Sequence, residues 1–478
     1  MTHKIHITIL NPPSLTGEAF VREGRCEQRV SSFQYNMIPI SLFSIAGGLK
    51  NEGYPLAVID AIACPLSLEE LFDKLTSTNS KLLIMNMSSG TFGNDINIIK
   101  EIKERFPQCH LAAIGNHASA LPQETLEESL LDSIVIGEPE SAIAELANAI
   151  ENNKDFSTIQ ALAYKDGNSI KTNPRNSFEP HLDNMPFPAR ELAPNDKYFM
   201  PIINEPYTLI ITTRGCPYNC IYCTAKQYYG KKVRERSPDN IIAEIREILE
   251  KQNVKNITMW SDTFTYRREF VMEVCQKIID SKLDINWWCN SRVDKVDKEM
   301  LTLMKDSGCK GISYGVESGV QEILDNVKKS IKIEDIQKAF ALTNDVGIEC
   351  LAHVIFGLPG ETKQTAKQTI NFVIKLKPTY AQFYCAIPFP GTELYSLAKE
   401  SGWLTTTDWN KYEINQAIIE TKQLSAEDLL EIKKRAFKKF YLRPSYILSQ
   451  LKRIKSPKEF MEKAKQAMNF FKSWVSSD

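Results

Sequence analysis

The sequence predicts an α/β protein made of two successive series of strands and helices, followed by a helical C-terminal region. From residue 4 to about 150, short apolar runs alternate with helical apolar patterns, which is typical of a doubly wound parallel sheet. A proline-rich stretch without clear periodicity follows. Six further strand–helix units then begin near residue 206, and because six are too few for an eight-fold barrel, they indicate a partial barrel.

Length and composition support this division into domains. The 478 residues predict about three domains, and we place the boundaries at 1–151, 152–205 (a linker), 206–400 and 401–478. A net charge of −1 argues against a protein that coats nucleic acid, and 43% apolar residues argue against general disorder. The chain lacks an 18-residue apolar run and a signal-peptide pattern, and its 11 cysteines are scattered, so we expect a cytoplasmic protein.

The N-terminal series places small and polar residues where its strands end. Its predicted strands are Lys4–Leu10, Pro55–Ile62, Lys81–Met87, His110–Ile114 and Ser133–Ile136. Ligands of a doubly wound sheet bind beyond the carboxyl ends of its strands. Those ends read Ser88-Ser89-Gly90, Gly115-Asn116-His117 and Gly137-Glu138-Pro139. Because glycine and serine let a backbone come close to a ligand, these three turns are the candidate binding residues of the first domain.

The second series has the same rhythm. Its predicted strands are Thr208–Thr212, Asn256–Trp260, Asn286–Cys289, Gly311–Tyr314, Ala352–Phe356 and Ala381–Ile387. Its C-terminal continuation, 431–478, has a clear excess of Lys and Arg interleaved with aromatic residues. This pattern suits a helix that touches an anionic membrane surface or a phosphorylated substrate, or a solvated helical face packed on the main body, and the second interpretation is the more common one.

The sharpest motif is a trio of cysteines directly after the first strand of the second series. Cys216, Cys220 and Cys223 have the spacing C-x3-C-x2-C, with Gly215 and Pro217 supporting a tight turn. Thiolates at this spacing can reach one metal centre from a single loop. A structural zinc would need a fourth Cys or His, but the next ones are the distant Cys275 and His353. A four-iron cluster held by three thiolates leaves one iron open to another ligand.

The position of this trio in a strand–helix series resembles the radical S-adenosylmethionine superfamily. The resemblance implies that Cys216, Cys220 and Cys223 hold a 4Fe-4S cluster, whose open iron binds S-adenosylmethionine. It also implies that one electron cleaves the sulfonium and yields a 5′-deoxyadenosyl radical. The alternatives are a structural metal site or free buried thiols.

Further strand ends match the same family in order. The resemblance implies cofactor contacts near the adenine, the methionine group or the ribose for the residues Tyr222, Asp262, Arg292, Glu317 and Gly357. The Gly-Glu pair that other members carry after the second strand is replaced here by Trp260-Ser261-Asp262. Each of these residues alone could equally be a turn former or a solvated charge.

The first domain resembles the cobalamin-binding subgroup of this superfamily, with a Rossmann-like fold. The resemblance implies cobalamin as a second cofactor, with candidate contacts at Ser88, Ser89, Gly115, Asn116, His117, Gly137 and Glu138. An Asp-x-His-x-x-Gly signature, which supplies an axial histidine in many cobalamin proteins, does not occur. The alternatives are a domain kept for packing or substrate binding, and a His117 that simply caps a turn.

The motifs look most similar to the anaerobic magnesium-protoporphyrin monomethyl ester cyclase and to hopanoid- and lipid-modifying relatives. We favour methylation of an unactivated carbon of a small molecule or lipid, with oxidative cyclisation as the main alternative. A methylthiotransferase would need three N-terminal cysteines, and Cys26, Cys64 and Cys109 lie in different predicted units. A non-catalytic cobalamin- or metal-binding module would leave the barrel motifs unexplained.

The same resemblance implies partners. We expect a flavodoxin or ferredoxin as electron donor, no nucleic acid, and a possible peripheral membrane contact through the C-terminal region. The stretch Thr16–Arg29, which includes Arg22 and Glu23, follows the first strand and is expected to border the active cavity.

Overall fold

A computed structural model describes residues 4–18, 20–23, 28–29, 36–200 and 203–452. Its N-terminal strands are β1 (Ile7–Asn11), β2 (Phe20–Val21), β3 (Gln28–Arg29), β4 (Leu56–Asp60), β5 (Leu82–Asn86), β6 (His110–Ile114), β7 (Ser133–Val135), β8 (Leu162–Asp166) and β9 (Ser169–Thr172). The helices between them are α1 (Ile40–Asn51), α2 (Leu68–Thr78), α3 (Phe92–Arg105), α4 (Asn116–Ala120), α5 (Pro122–Glu128) and α6 (Glu140–Glu151).

Seven of these strands form one sheet in the order β4-β1-β5-β6-β7-β8-β9. The first five are parallel and the last two antiparallel. The sheet is covered on both faces: Ile7 and Ile9 pack with α1 and α6, whereas Leu10 and Met85 pack with α2 and α3. The predicted doubly wound fold is therefore confirmed. Its winding reverses between β1 and β5, where such folds bind ligands.

The predicted linker 152–205 contributes regular structure that the sequence analysis did not expect. Strands β8 and β9 form a hairpin that extends the sheet from inside this region. Its turn uses Gly167 with φ +60°. The Asp166-Gly167 pair is a known signal for such tight turns, but β9 is mostly exposed and polar, so its apolar rhythm is weak.

The second sheet has the predicted six parallel strands in simple order, β10-β13-β14-β15-β16-β17. The strands of this half are β10 (Tyr207–Ile211), β11 (Thr213–Arg214), β12 (Arg234–Glu235), β13 (Asn256–Trp260), β14 (Asn286–Ser291), β15 (Cys309–Glu317), β16 (Glu349–Phe356) and β17 (Tyr380–Cys385). Its helices are α7 (Ala225–Tyr229), α8 (Pro238–Gln252), α9 (Arg268–Asp280), α10 (Lys298–Asp306), α11 (Gln321–Asn326), α12 (Ile333–Val346), α13 (Lys363–Leu376) and α14 (Glu393–Glu400). The short strands β11 and β12 pair as a separate ribbon, and the three cysteines lie in the loop between them.

The C-terminal part closes over both halves. Trp409 lies edge-on to His117 of the first domain, with ring centroids 5.0 Å apart. Two helices follow, α15 (Ala426–Tyr441) and α16 (Pro444–Leu451), and Phe437 of α15 packs on Phe383 of β17. The remainder of the predicted basic region, 453–478, lies outside the described residues. Within the described part of the chain, no helix is both long and apolar enough to cross a bilayer.

Candidate active site

The cysteine loop is held in a tight conformation by its own backbone. The Cys216 amide donates to the Gly230 carbonyl at 3.1 Å, and the Cys223 amide donates to Cys220 at 3.2 Å. Gly215 has φ +91°, and a Cβ there would stand 2.2 Å from the Lys232 carbonyl oxygen, so only glycine fits. None of the three forms a disulfide with another described cysteine; Cys220 is 9% exposed and the other two are half-buried.

The donor set fits a cluster better than a single ion. Among the described residues, no three His, Cys, Asp or Glu side chains are gathered closely enough to hold one metal ion. A four-iron cluster places each thiolate on a different iron, so its ligands surround a cluster instead of meeting at one point. Three thiols on one short loop are therefore suitable ligands for three of the four irons.

Arg292 lies over the cysteine loop. Its guanidinium is 3.5 Å from the centroid of the Tyr218 ring, which belongs to the loop itself. It also donates to Asp294 at 2.9 Å and to the carbonyls of Lys329 and Ser330, each at 3.1 Å. Arg292 is therefore held beside the cysteine loop. Its contact with a cofactor stays a prediction.

Glu317 ends β15 in a strained conformation. Its φ is +60°, unusual for a non-glycine residue, and the pairing register with β16 shifts there. The buried Lys329 ammonium donates to its carboxylate at 2.7 Å. Burial would lower the pKa of Lys329, but the charges of Glu317 and Cys220 and the hydrogen bond to Glu317 together outweigh this effect and raise the pKa. Burial, and next the nearby Glu317, raises the pKa of Tyr222 well above its usual range. Tyr222 and Glu317 are thus neighbours, and a contact of either with a cofactor stays a prediction.

One cavity joins the two halves of the molecule. It has a volume of about 640 Å³, open solvent at its mouth included. From the first domain it is lined by Arg22, Glu23, Ser41, Asn86, Gly115 and Asn116; from the second it is lined by Ile211, Thr213, Arg214, Thr224, Ala225, Tyr228, Tyr229, Trp260, Ser261 and Asp262. The cavity thus lies where carboxyl ends of strands from both sheets face each other, and it borders both ends of the cysteine loop.

Several polar atoms around this cavity lack a protein partner. The buried Asn86 Oδ1 and the hydroxyls of Thr213, Thr224 and Ser261 make no hydrogen bond within the part of the chain that the structure describes. Buried polar groups in folded proteins nearly always have a partner. Four such atoms around one cavity, contributed by both domains, therefore indicate a site for a polar ligand.

The predicted residues of the first domain separate into two groups. Gly115 and Asn116 line the cavity, and Gly115 has φ +113° with its Cα so close to Met87 that an added Cβ would stand 2.2 Å from the Met87 carbonyl oxygen. Ser88, Ser89 and His117 are buried and are not among the residues that line it.

His117 occupies an aromatic enclosure. Its ring is tilted against that of Phe92, with the centroids 4.4 Å apart, and its Nδ1 lies 3.2 Å from the Ser89 hydroxyl. Burial lowers the pKa of His117 to about 3, so the ring is neutral at physiological pH. Whether it contacts cobalamin stays a prediction.

Glu138 is engaged by two arginines of the other domain. Its carboxylate accepts hydrogen bonds from Arg214 at 2.6 Å and from Arg234 at 2.8 Å. Burial would raise the pKa of Glu138, but the two guanidinium groups together lower it below its usual value. The preceding Gly137 lies against the Tyr228 carbonyl oxygen of the second domain. These two residues therefore join the domains, and a contact of theirs with a cofactor stays a prediction.

Two further buried carboxyls are close to the predicted motifs. Glu23 lines the cavity as expected for its stretch, and it accepts hydrogen bonds from the Ser41 hydroxyl at 2.7 Å and amide at 3.3 Å. Burial raises the pKa of Glu23 to about 7. Glu361 accepts from the amide of Gly357 at 2.5 Å, and burial raises its pKa to about 8. Arg25 and Cys26 lie outside the described residues.

Sequence reasoning missed Asn86, Thr213, Thr224, Ser261 and Lys329. Positional signals existed for Asn86, Thr213 and Ser261, because each lies at or directly after the end of a predicted strand. No local signal marks Lys329: its position depends on a turn in which Lys328 and Ser330 both have φ +55°.

Comparison with protein families agrees with this geometry. The model of the radical SAM superfamily matches residues 210–373, and the model of the B12 binding domain matches residues 29–147. The chain therefore belongs to the B12-binding radical SAM enzymes, and its cofactors are a 4Fe-4S cluster, S-adenosylmethionine and cobalamin.

Individual relatives span most of the chain. It is 27% identical over 86% of its length to an uncharacterized methyltransferase of Pyrococcus horikoshii, covering 90% of that protein. It is 24% identical over 89% of its length to the anaerobic magnesium-protoporphyrin IX monomethyl ester cyclase of Rubrivivax gelatinosus, covering 78% of it. The solved structure of the radical S-adenosylmethionine methyltransferase TsrM from Kitasatospora setae, with cobalamin and a [4Fe-4S] cluster bound, is similar in fold, with TM-score 0.72, 17% identity, and coverage of 92% of this chain and 90% of that one.

Proposed function

We propose that this enzyme methylates a carbon atom of a small-molecule or lipid substrate. The observation that carries the proposal is a cavity lined by strand ends of both domains, which would let one bound substrate face both cofactor sites. When bound, the cluster with S-adenosylmethionine supplies a carbon-centred radical, and cobalamin supplies the methyl group. Relatives named as methyltransferases support this choice.

The residues of the chain have distinct tasks in this proposal. Cys216, Cys220 and Cys223 would hold the cluster, and the unpartnered hydroxyls of Thr213, Thr224 and Ser261 would bind polar groups of S-adenosylmethionine or substrate. Asn86, Gly115 and Asn116 would bind cobalamin at the end of the first sheet. The Tyr228, Tyr229 and Trp260 side chains wall the cavity and would exclude water from a reactive radical.

The test is an anaerobic assay of the protein reconstituted with iron, sulfide and cobalamin. With S-adenosylmethionine and a strong reductant, we expect 5′-deoxyadenosine from radical generation and S-adenosylhomocysteine from methyl transfer to reduced cobalamin. Replacing Cys216, Cys220 and Cys223 together with alanine should reduce 5′-deoxyadenosine to the level without enzyme. Cys64→Ala is the matched control, because Cys64 is also a free, half-buried thiol but lies outside the loop. A wild-type protein that forms no S-adenosylhomocysteine would contradict methylation.

Oxidative cyclisation is the second candidate, favoured by the relative from Rubrivivax gelatinosus. The two reactions differ in the fate of the methyl group. With S-adenosylmethionine labelled in its methyl group, a methylase transfers the label to a product, whereas a cyclase does not. Extracts of cells with and without this protein supply the candidate products for mass spectrometry.

A methylthiotransferase is disfavoured by the positions of two cysteines. Cys64 follows the carboxyl end of β4, whereas Cys109 precedes the amino end of β6. Because both strands run parallel to β1 and β5, these thiols lie at opposite edges of the sheet and cannot share a second cluster. Cys26 lies outside the described residues.

The partners remain proposals. We propose a low-potential electron donor of the flavodoxin or ferredoxin type, because the cluster needs one electron for each radical. Contact with a membrane surface is proposed for α15, where Lys434, Arg435, Lys438 and Lys439 line one exposed concavity. Sedimentation with vesicles rich in anionic lipid, compared with neutral vesicles, tests it: equal amounts of protein in the two pellets would contradict it.

A further inference from the structure

The cysteine loop starts and ends on a ribbon with an internal electrostatic conflict. Strands β11 and β12 pair so that Arg214 stands directly opposite Arg234. Like charges directly opposite each other destabilise an antiparallel pair. Both side chains are also almost completely buried, at 2% and 4% exposure. The ribbon therefore needs an anion between the two guanidinium groups.

That anion comes from the other domain. Glu138, at the end of the first sheet, bridges Arg214 and Arg234 with one carboxylate oxygen each. Glu140 adds two more hydrogen bonds to Arg214, at 3.0 and 2.5 Å. The two carboxylates balance the two guanidinium charges in a place without much solvent screening.

The main chains of the two domains also meet next to Glu138. A Cβ on Gly137 would stand 2.8 Å from the Tyr228 carbonyl oxygen, so the turn before Glu138 packs directly on α7. Arg175, from the segment between the domains, donates to the Glu138 carbonyl at 2.8 Å. Side chain and main chain of Glu138 are thus both fixed, and the residue has little freedom to move.

We propose that Glu138 is a positioning residue that locks the cysteine loop onto the cobalamin-binding domain by bridging Arg214 and Arg234. Because the loop carries the cluster, this lock sets the distance between the two cofactor sites. The inference rests on the proposed function only in its choice of products to measure. Radical cleavage of S-adenosylmethionine needs the cluster site alone, whereas methyl transfer to cobalamin needs both sites at the correct separation.

A control variant with the same local chemistry is available. Glu244 is 1% exposed and also bridges two arginines, Arg190 and Arg236, but Glu244 and Arg236 belong to the second half and Arg190 to the segment between the domains, so none of the three is a residue of the first sheet. Glu138→Gln and Glu244→Gln therefore remove the same charge from equally buried arginine pairs. Only Glu138→Gln removes a carboxylate of the first domain from its contact with the cysteine-loop ribbon.

The first measurement uses cofactor-free protein and hydrogen–deuterium exchange. In Glu138→Gln we expect faster exchange in both 133–140 and 213–235. Glu244→Gln should leave 133–140 at the wild-type rate, because its partner Arg236 adjoins only the second segment. The second measurement is the ratio of S-adenosylhomocysteine to 5′-deoxyadenosine formed by reconstituted enzyme. We expect this ratio to fall at least about tenfold in Glu138→Gln, equivalent to roughly 1.4 kcal/mol, and to stay unchanged in Glu244→Gln.

The outcomes are separable. Wild-type protein without S-adenosylhomocysteine would contradict the proposed methylation, while exchange would still decide the lock. An unchanged ratio and unchanged exchange in Glu138→Gln would overturn the lock and leave methylation standing. If Glu138→Gln does not fold, Glu140→Gln removes only the Arg214 contacts and should show the same two effects at smaller amplitude; unchanged values there would equally overturn the proposal.

Discussion

Two buried carboxyls of the first domain lie close to the same interface and have opposite electrostatic surroundings. Glu138 is bridged by two guanidinium groups, which lower its pKa although burial opposes them. Glu23 has only Ser41 as hydrogen-bond donor among the described residues, and burial raises its pKa to about 7. The comparison teaches that burial alone does not decide the charge of a group. Two guanidinium partners keep the pKa of Glu138 low, whereas Glu23, without them, has a pKa near neutral pH.

We expect the largest effect from removing Arg214, one of the two cations that pair with Glu138. Arg214→Ala leaves Glu138 without one of its two arginine partners and removes two hydrogen bonds from Glu140. Removing one partner of a buried ion pair typically costs about 3–5 kcal/mol, and we expect that loss in the free energy of unfolding of cofactor-free protein in urea. A loss below about 1 kcal/mol would show that Glu138 is not a buried anion.

Removing the negative charge instead is a milder change. Glu138→Gln keeps the shape and one acceptor oxygen, so we expect a loss of about 1–3 kcal/mol in the same measurement. Glu244→Gln should lose a similar amount, because its carboxylate is equally buried and also doubly paired. A loss at Glu138 much smaller than at Glu244 would argue against the charge assigned to it.

The pKa of Glu23 is shifted in the opposite direction from that of Glu138, so its effect on stability has the opposite dependence on pH. Its folded-state pKa is raised above the ordinary value of 4.5, so the folded protein binds this proton more tightly, and stability is lost as pH rises from about 4.5 through about 7. Glu23→Gln removes this loss. Relative to wild type, the melting temperature of the variant should therefore rise between pH 5 and pH 8. The corresponding gain in the free energy of unfolding is at most on the order of 3 kcal/mol. The nearby charges of Glu140 and Arg214 are present in both proteins. If the difference in melting temperature between variant and wild type does not change with pH, the raised pKa of Glu23 is contradicted.

An exposed ion pair sets the lower end of the scale. Lys328 and Glu393 form a contact with about half of each side chain in solvent. Surface ion pairs contribute little to stability, so Glu393→Gln should leave the melting temperature within measurement error at every pH. If the melting temperature fell as much as in Glu138→Gln, burial would not explain the stabilising effect of the ion pairs at the domain interface.

Strand ends were the most predictable part of this molecule. The apolar runs of both sheets locate the strands within a few residues, and the cysteine spacing after a predicted strand marks the loop for which we predict the cluster. The hairpin β8–β9 was missed because exposed polar strands lack an apolar rhythm, although Asp166-Gly167 marked its turn. Lys329 and the bridge from Glu138 to Arg214 could not be predicted, because such contacts depend on how separate parts of the chain fold against each other.

The order of these partners along the chain has a consequence for maturation. Glu138 is made before Arg214 and Arg234, and chains fold from their N-terminal domains during synthesis. The first sheet therefore offers a finished anionic docking point by the time the ribbon leaves the ribosome. We therefore expect a cluster held by the cysteine loop to be assembled after Glu138 has bound Arg214 and Arg234 at the base of that loop.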